Sequence, residues 1–273
     1  MVKVLNTKQY LDPNKFRLVM LLYGLPGTGK TQFVGTCPVE ETGIAACETG
    51  VGNGLLTIAH LGYDHIVPSS LSDLSEFCEG KIFKDKKILV IDSLSAMAKT
   101  FIKDAALSIP RTKGESPKRK MGVPELDDFG VIGSLTATLL NKLLVSHPES
   151  HIIVTATEKW DRPNENDPPG TESLFGPNLA GQMFTEAPAL FDFVLRMRTR
   201  PVLRNPSDPK SRYNQRYFLT DREPGVIAKC RANNGRGKAL LDREEIFELD
   251  EKDISRSKGG FKYMLEKILD GYK

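Results

Sequence analysis

Leu18-Val19-Met20-Leu21-Leu22-Tyr23 runs directly into Gly24-Leu25-Pro26-Gly27-Thr28-Gly29-Lys30-Thr31, and the reading of this stretch decides the fold. An apolar run over residues 17–23, closed by a Gly/Pro-rich turn, marks a buried parallel strand. The octapeptide matches GxxxxGK[ST] at every fixed position. It also stands after a strand and before a helix start, where its mechanism requires it. The glycines let backbone N–H groups turn inward and cradle phosphates, Lys30 reaches the β- and γ-phosphates, and the Thr31 hydroxyl ligates Mg²⁺. The expected ATP-binding segment is thus Gly24, Leu25, Pro26, Gly27, Thr28, Gly29, Lys30, Thr31 and Gln32.

Such a loop needs a second magnesium partner at the end of a neighbouring strand. Ile88-Leu89-Val90-Ile91-Asp92 supplies it: apolar residues closed by a carboxylate, about 60 residues on. The following residue is Ser93, so the carboxylate that orients the attacking water must come from elsewhere. Glu48 is the candidate. It follows the strand Gly43–Cys47 and precedes Thr49-Gly50-Val51-Gly52, at the mouth of a parallel sheet where strand C-termini meet the ligand. Lys30 and Glu48 are the expected catalytic residues, with Thr31 and Asp92 on the metal.

Working outward, His151–Thr157 reads as a further strand, and Glu125 to Val145 as a helix with apolar residues near 3.6-residue spacing. Strands alternating with helices predict an α/β parallel sheet. From residue 191 the pattern changes: Phe191–Arg198, Arg216–Thr220 and Gly225–Ala232 read as antiparallel hairpin strands. Pro110–Pro124 and Asp161–Gln182 read as long loops, which in a compact domain are functional or disordered. The tail is acidic over Asp242–Asp253 and ends in a short amphipathic helix with Phe261, Met264, Leu265 and Ile268 on one face. Whether that helix packs on its own core or on a neighbour stays open.

The 273 residues, 40% hydrophobic and 27% charged, exclude a disordered tail protein or a fibrous repeat. No apolar stretch approaches ~20 residues, so no membrane span is expected. Four scattered cysteines (Cys37, Cys47, Cys78, Cys230) without a CxxC pair argue against zinc and for free thiols.

The combination of phosphate loop, Glu on the next strand and a strand ending in Asp-Ser resembles the RecA-type core ATPases over about residues 15–240. The resemblance implies one domain spanning 1–273, with its core at about 15–240 and a short extension at 241–273. The implied fold is a mostly parallel central sheet flanked by helices, with C-terminal antiparallel hairpin strands. It implies a γ-phosphate sensor at Thr157 or Glu158, where the family carries a Gln, and DNA-binding loops at Pro110–Pro124 and Asp161–Gln182. Ala228-Lys229-Cys230-Arg231 resembles the paired basic residues that such proteins insert into a neighbour's ATP site; at i and i+2, Lys229 and Arg231 share a face. Within the class the chain is most similar to phage-encoded Sak-type single-strand annealing and recombination ATPases. That implies ATP and Mg²⁺ as cofactors, single-stranded DNA as partner and a homo-oligomer, filament or ring. It further implies a single-strand-binding protein as a possible partner, and a cytoplasmic location in the host cell.

The net charge of +3 conceals a segregated field. Phe191 to Lys238 holds twelve basic and four acidic residues, and Pro110–Lys120 adds five basic residues against Glu115. Basic grooves with aromatic platforms hold single strands. The candidate DNA contacts are therefore Arg111, Lys113, Lys118, Arg119, Lys120, Trp160, Arg162 and Phe175. Two other readings use the same nucleotide site: an ATP-driven loader acting on a protein partner, and a nucleotide or small-molecule kinase, for whose Arg-rich lid Pro110–Lys120 could be mistaken, although no compact acceptor-binding motif is visible.

Overall fold

The computed structural model describes residues 12, 15–48, 54–109, 123–162, 172–221, 223–233 and 239–272. In chain order its elements are β1 (Val19–Gly24), α1 (Lys30–Val34), β2 (Thr42–Ala46), a 3₁₀ segment (Gly54–Leu61), β3 (Asp64–Ile66), α2 (Leu71–Cys78) and β4 (Ile88–Asp92). Then come α3 (Leu94–Met97), a π-helical turn (Ala98–Ile102), α4 (Lys103–Ser108), α5 (Leu126–Ser146), β5 (His151–Asp161), β6 (Leu174–Pro177) and α6 (Met183–Ala189). β7 (Phe193–Leu203), β8 (Arg212–Leu219), β9 (Lys229–Cys230), β10 (Glu244–Phe247) and α7 (Phe261–Gly271) complete the chain.

The sheet runs in the order β10-β8-β7-β1-β5-β4-β2-β3. From β7 to β3 all neighbours are parallel, whereas β8 and β10 add antiparallel strands at one edge. This is the α/β class expected from the sequence, a mostly parallel sheet extended by C-terminal antiparallel strands. Alternation along β1 divides the core. Val19, Leu21 and Tyr23 face the layer of α2, α3 and α5; Leu18, Met20 and Leu22 face that of α1 and α7. Phe33 of α1, Phe218 of β8 and Phe247 of β10 interlock in the second layer, with ring centroids 5.5–6.1 Å apart.

The structure corrects several boundaries. The Gly225–Ala232 strand shrinks to the two residues of β9, because only Lys229 and Cys230 reach β7. The loop Asp161–Gln182 is partly sheet: β5 continues to Asp161 and β6 folds back along it. β10 lies inside the acidic tail, where Glu245, only 3% exposed, is held by Lys267 of α7. An acidic residue pointing inward obscured the strand pattern. The tail helix packs on its own core through Phe261, Met264 and Ile268.

Among the described residues one helix, α5, is long and apolar enough to cross a membrane, contrary to the expectation that no segment approaches this length. Gly130, Gly133, Thr136 and Ala137 lie between its leucines and add little polarity. Its Ile132, Leu139, Leu140 and Leu143 are buried in the core layer shared with α2 and α3.

Candidate nucleotide site

Parallel pairing brings the C-terminal ends of four strands level. Gly24 of β1 is in register with Thr157 of β5, and Ala46 of β2 with Asp92 of β4. β5 lies between β1 and β4, so the phosphate loop and the Asp92 strand face each other across one intervening strand. The loop leaves β1, and α1 starts from Gly29, whose φ of 107° belongs to the left-handed region that glycine adopts without penalty. No side chain caps α1, so the N–H groups of its first turn are open toward the cleft.

Lys30 donates from Nζ to the carbonyls of Gly24 and Leu25, each at 3.0 Å. Burial pushes its ammonium below the usual lysine range, opposed by Asp92, Glu48 and Glu158. Thr28 donates to the Leu25 carbonyl at 2.9 Å and shapes the loop from within. Thr31 Oγ1 donates to Asp92 Oδ2 at 2.9 Å, and the buried Thr155 hydroxyl donates to Asp92 Oδ1. Asp92 is 4% exposed, and its bond to Ser93 is a cis peptide.

Glu48 reaches the same place. A Cβ built on Gly54 would stand 3.1 Å from Glu48 Oε2, 3.3 Å from Thr31 Oγ1 and 3.5 Å from Asp92 Oδ2. Three oxygens from separate parts of the sequence thus ring one point. Ser93 Oγ lies 3.5 Å from Glu48 Oε1. The surrounding cleft holds about 510 Å³ and is lined by the loop from Pro26 to Gln32, with Glu48, Gly54, Thr57, Asp92, Thr157 and Arg216. Hydroxyl and carboxylate oxygens, few in number, are the donors that magnesium takes when phosphates and water complete its shell. Among the described residues no cluster of three or more His, Cys, Asp or Glu could hold a metal by itself.

The other expected site residues lie elsewhere. Thr157 lines the cleft, and its N–H donates to Ser95 Oγ at 3.1 Å. Glu158 grips Arg196 instead, in a two-pronged pair of 2.7 and 2.9 Å whose side chains are each 6% exposed. Trp160 is 47% exposed and stacks on Phe175 with centroids 5.8 Å apart and rings 10° from parallel. The Arg162 guanidinium lies 4.0 Å from the Trp160 ring, and Arg196 lies 4.1 Å from that of Phe175. Phe175 thus has both the Trp160 ring and the Arg196 guanidinium against it and is half-buried, whereas Trp160 is the more exposed ring of the pair.

Lys229 and Arg231 sit at the opposite end of β7 from the cleft. Lys229 pairs with Val194, its ammonium donates to the Ala189 carbonyl at 3.3 Å, and Arg231 bridges Asp192 at 2.9 Å. Arg111, Lys113, Lys118, Arg119 and Lys120 lie outside the described residues. The sequence reading missed Thr155, Ser95, Gly54 and Arg216. Thr155 was findable, two residues before Thr157 on the same strand; Arg216 was legible only as part of a basic field.

The protein family described as AAA domain matches residues 17–232. The chain belongs to this family. It is a P-loop ATPase, with the phosphate loop, Asp92 and the sheet between them all inside the matched AAA domain. Among solved structures the AAA domain is similar to a KaiC-like protein from the hyperthermophilic archaeon Pyrococcus horikoshii, at 18% identity, 85% coverage of each chain and a TM-score of 0.42. It is also similar to the RadB recombinase, at 11% identity, with 86% of this chain and 89% of that one covered and a TM-score of 0.40. No curated protein matches the sequence.

Proposed function

We propose that this ATPase binds single-stranded DNA and promotes annealing or homologous recombination, working as a filament or ring. The observation that carries the reading is the continuity of β5. Thr157 lines the nucleotide cleft, and Trp160, three residues on, stands exposed beside Arg162 on a cation-covered aromatic stack. A base that displaces Arg162 would gain the outer Trp160 face, the kind of platform single strands use. The basic residues from Phe191 onward would follow the backbone.

In the ATPase cycle Lys30 exchanges the Gly24 and Leu25 carbonyls for the β- and γ-phosphates. Glu48 orients the attacking water and takes its proton. Thr31 and Asp92 would hold magnesium, which neutralises charge on the β- and γ-oxygens. Thr155 holds Asp92 in place through its hydroxyl. Lys229 and Arg231, remote from the cleft of their own chain, would reach into a neighbour's site in an oligomer. A Sak-type protein of this kind would act in the cytoplasm of a phage host, alongside a single-strand-binding protein.

Filter binding of labelled single-stranded DNA at low salt, with and without ATP–Mg²⁺, tests the reading. ATP-dependent retention followed by faster annealing of complementary strands is expected. No retention at low salt, where phosphate contacts are strongest, would sink it and leave the protein-directed loader as the better account.

A further inference from the structure

β8 carries an arginine that the phosphate chemistry above does not use. Arg216 stands opposite Thr199 of β7 and Phe247 of β10. Two residues before Phe218, it shares that residue's face of the sheet. Phe218 meets Phe33 of α1 edge-on at 5.5 Å, so Arg216 rises on the α1 side, at the level of the phosphate loop. Its contact there is direct: a Cβ built on Gly29 would lie 2.9 Å from Arg216 Cδ and 3.0 Å from Nε. The side chain forms part of the cleft wall.

The neighbouring arginines show what is unusual about it. Three arginines of the β7–β8 hairpin are buried or half-buried: Arg196, Arg200 and Arg216. Arg196 is bound to Glu158, and Arg200 to Glu244 and Gln215. Arg216 has no ion pair with any described residue. A guanidinium partly withdrawn from water without an anion is costly unless a ligand supplies one.

We infer that Arg216 binds the nucleotide's α- and β-phosphates in cis, as a fork placed over the loop by the added antiparallel strand. The position decides which phosphates. Glu48, Asp92 and Thr157 come from β2, β4 and β5, on one side of β1; Arg216 comes from β8, on the other, and rests on Gly29, whose loop N–H groups cradle the α- and β-phosphates. The contact would therefore persist after hydrolysis and hold the diphosphate product. This inference rests on the ATPase reading of the cleft, not on DNA binding.

The test is titration of fluorescent ATP and ADP analogues with Mg²⁺ into the wild type, Arg216→Ala, Arg216→Gln and the exposed hairpin control Asn214→Ala. Circular dichroism and melting would verify folding, and Arg216→Gln serves where the alanine variant fails to fold. Removing the charge should weaken both ATP and ADP by about tenfold or more, with Asn214→Ala unchanged. Wild-type affinity in a folded Arg216 variant overturns the inference. A loss confined to ATP also overturns it, because the guanidinium would then serve the γ-phosphate. Failure of the wild type to bind either nucleotide would instead overturn the ATPase reading beneath it.

Discussion

Thr31 and Asp92 are 61 residues apart in the chain, yet Thr31 Oγ1 donates a 2.9 Å hydrogen bond to Asp92 Oδ2. One residue lies in the first turn of α1 and the other closes β4, two strands from β1, so their meeting measures how accurately the parallel sheet aligns its strand ends. Glu48 lies at the same point, its Oε2 3.1 Å from where a Gly54 Cβ would stand. A carboxylate beside the expected metal pair is where the proposed mechanism needs its water-orienting group. Glu48→Gln should keep ATP binding and lose turnover by at least about 100-fold. Phosphate release measured beside nucleotide affinity checks this, and undiminished turnover would remove Glu48 from its role.

Glu158 and Arg196 make a different prediction. Their side chains are almost wholly enclosed, so Glu158→Ala should strand a buried guanidinium and cost about 3–5 kcal/mol of stability. Replacing both by Met should cost much less, since no charge is then left unpaired. Urea denaturation of the three proteins decides the matter; equal losses in the single and double variants would refute the pairing argument.

The aromatic stack separates Trp160 from Phe175. Trp160→Ala should weaken single-stranded DNA by about 1–3 kcal/mol with little change in melting temperature. Phe175→Ala removes a ring covered by Trp160 and Arg196 and should lower the melting temperature instead. Titrations and melts on both variants test this, and a Trp160 variant with full affinity would show that the base platform lies elsewhere.

His151 carries a pH dependence. It accepts the Leu18 N–H at Nδ1 across 2.9 Å, and burial lowers its pKa from 6.5 to about 4, with Arg17 and Lys87 adding to the shift and Glu41 opposing it. The folded state therefore prefers the neutral ring. Its stabilisation is complete above about pH 6.5 and is lost as the pH falls toward 4, by about 2–3 kcal/mol. Denaturation midpoints across this window should flatten in His151→Asn; an identical slope would assign the acid sensitivity to other groups.

Lys229 and Arg231 cannot serve the cleft of their own chain from the far end of β7. If they serve a neighbour's, Lys229→Ala/Arg231→Ala should lose ATP-dependent assembly in light scattering while nucleotide affinity stays within about twofold, the effect of a few tenths of a kcal/mol. Normal assembly in the double variant would end the trans-acting role.

The phosphate loop, the Asp92 strand, the long helix and the α/β alternation were all legible in the chain. Each is a local pattern: a run of apolar residues, a spacing of glycines, a carboxylate at a strand end. What the tertiary structure decided is everything that depends on which strand lies beside which. Sequence could nominate Glu48, but only the order β1-β5-β4-β2 brings its carboxylate to Thr31 and Asp92. Glu158 matched a sensor by position, yet it turns to Arg196, a partner 38 residues away on a strand two places over. Phe175 looked like an exposed aromatic until β6 set it against Trp160, with Arg196 over its ring. Arg216 was one cation among twelve until β8 set it over Gly29. Side-chain pattern dictates an element and the face it buries, because backbone periodicity is local; the partners of a charge or a ring are set by non-local strand pairing, which no spacing along the chain encodes.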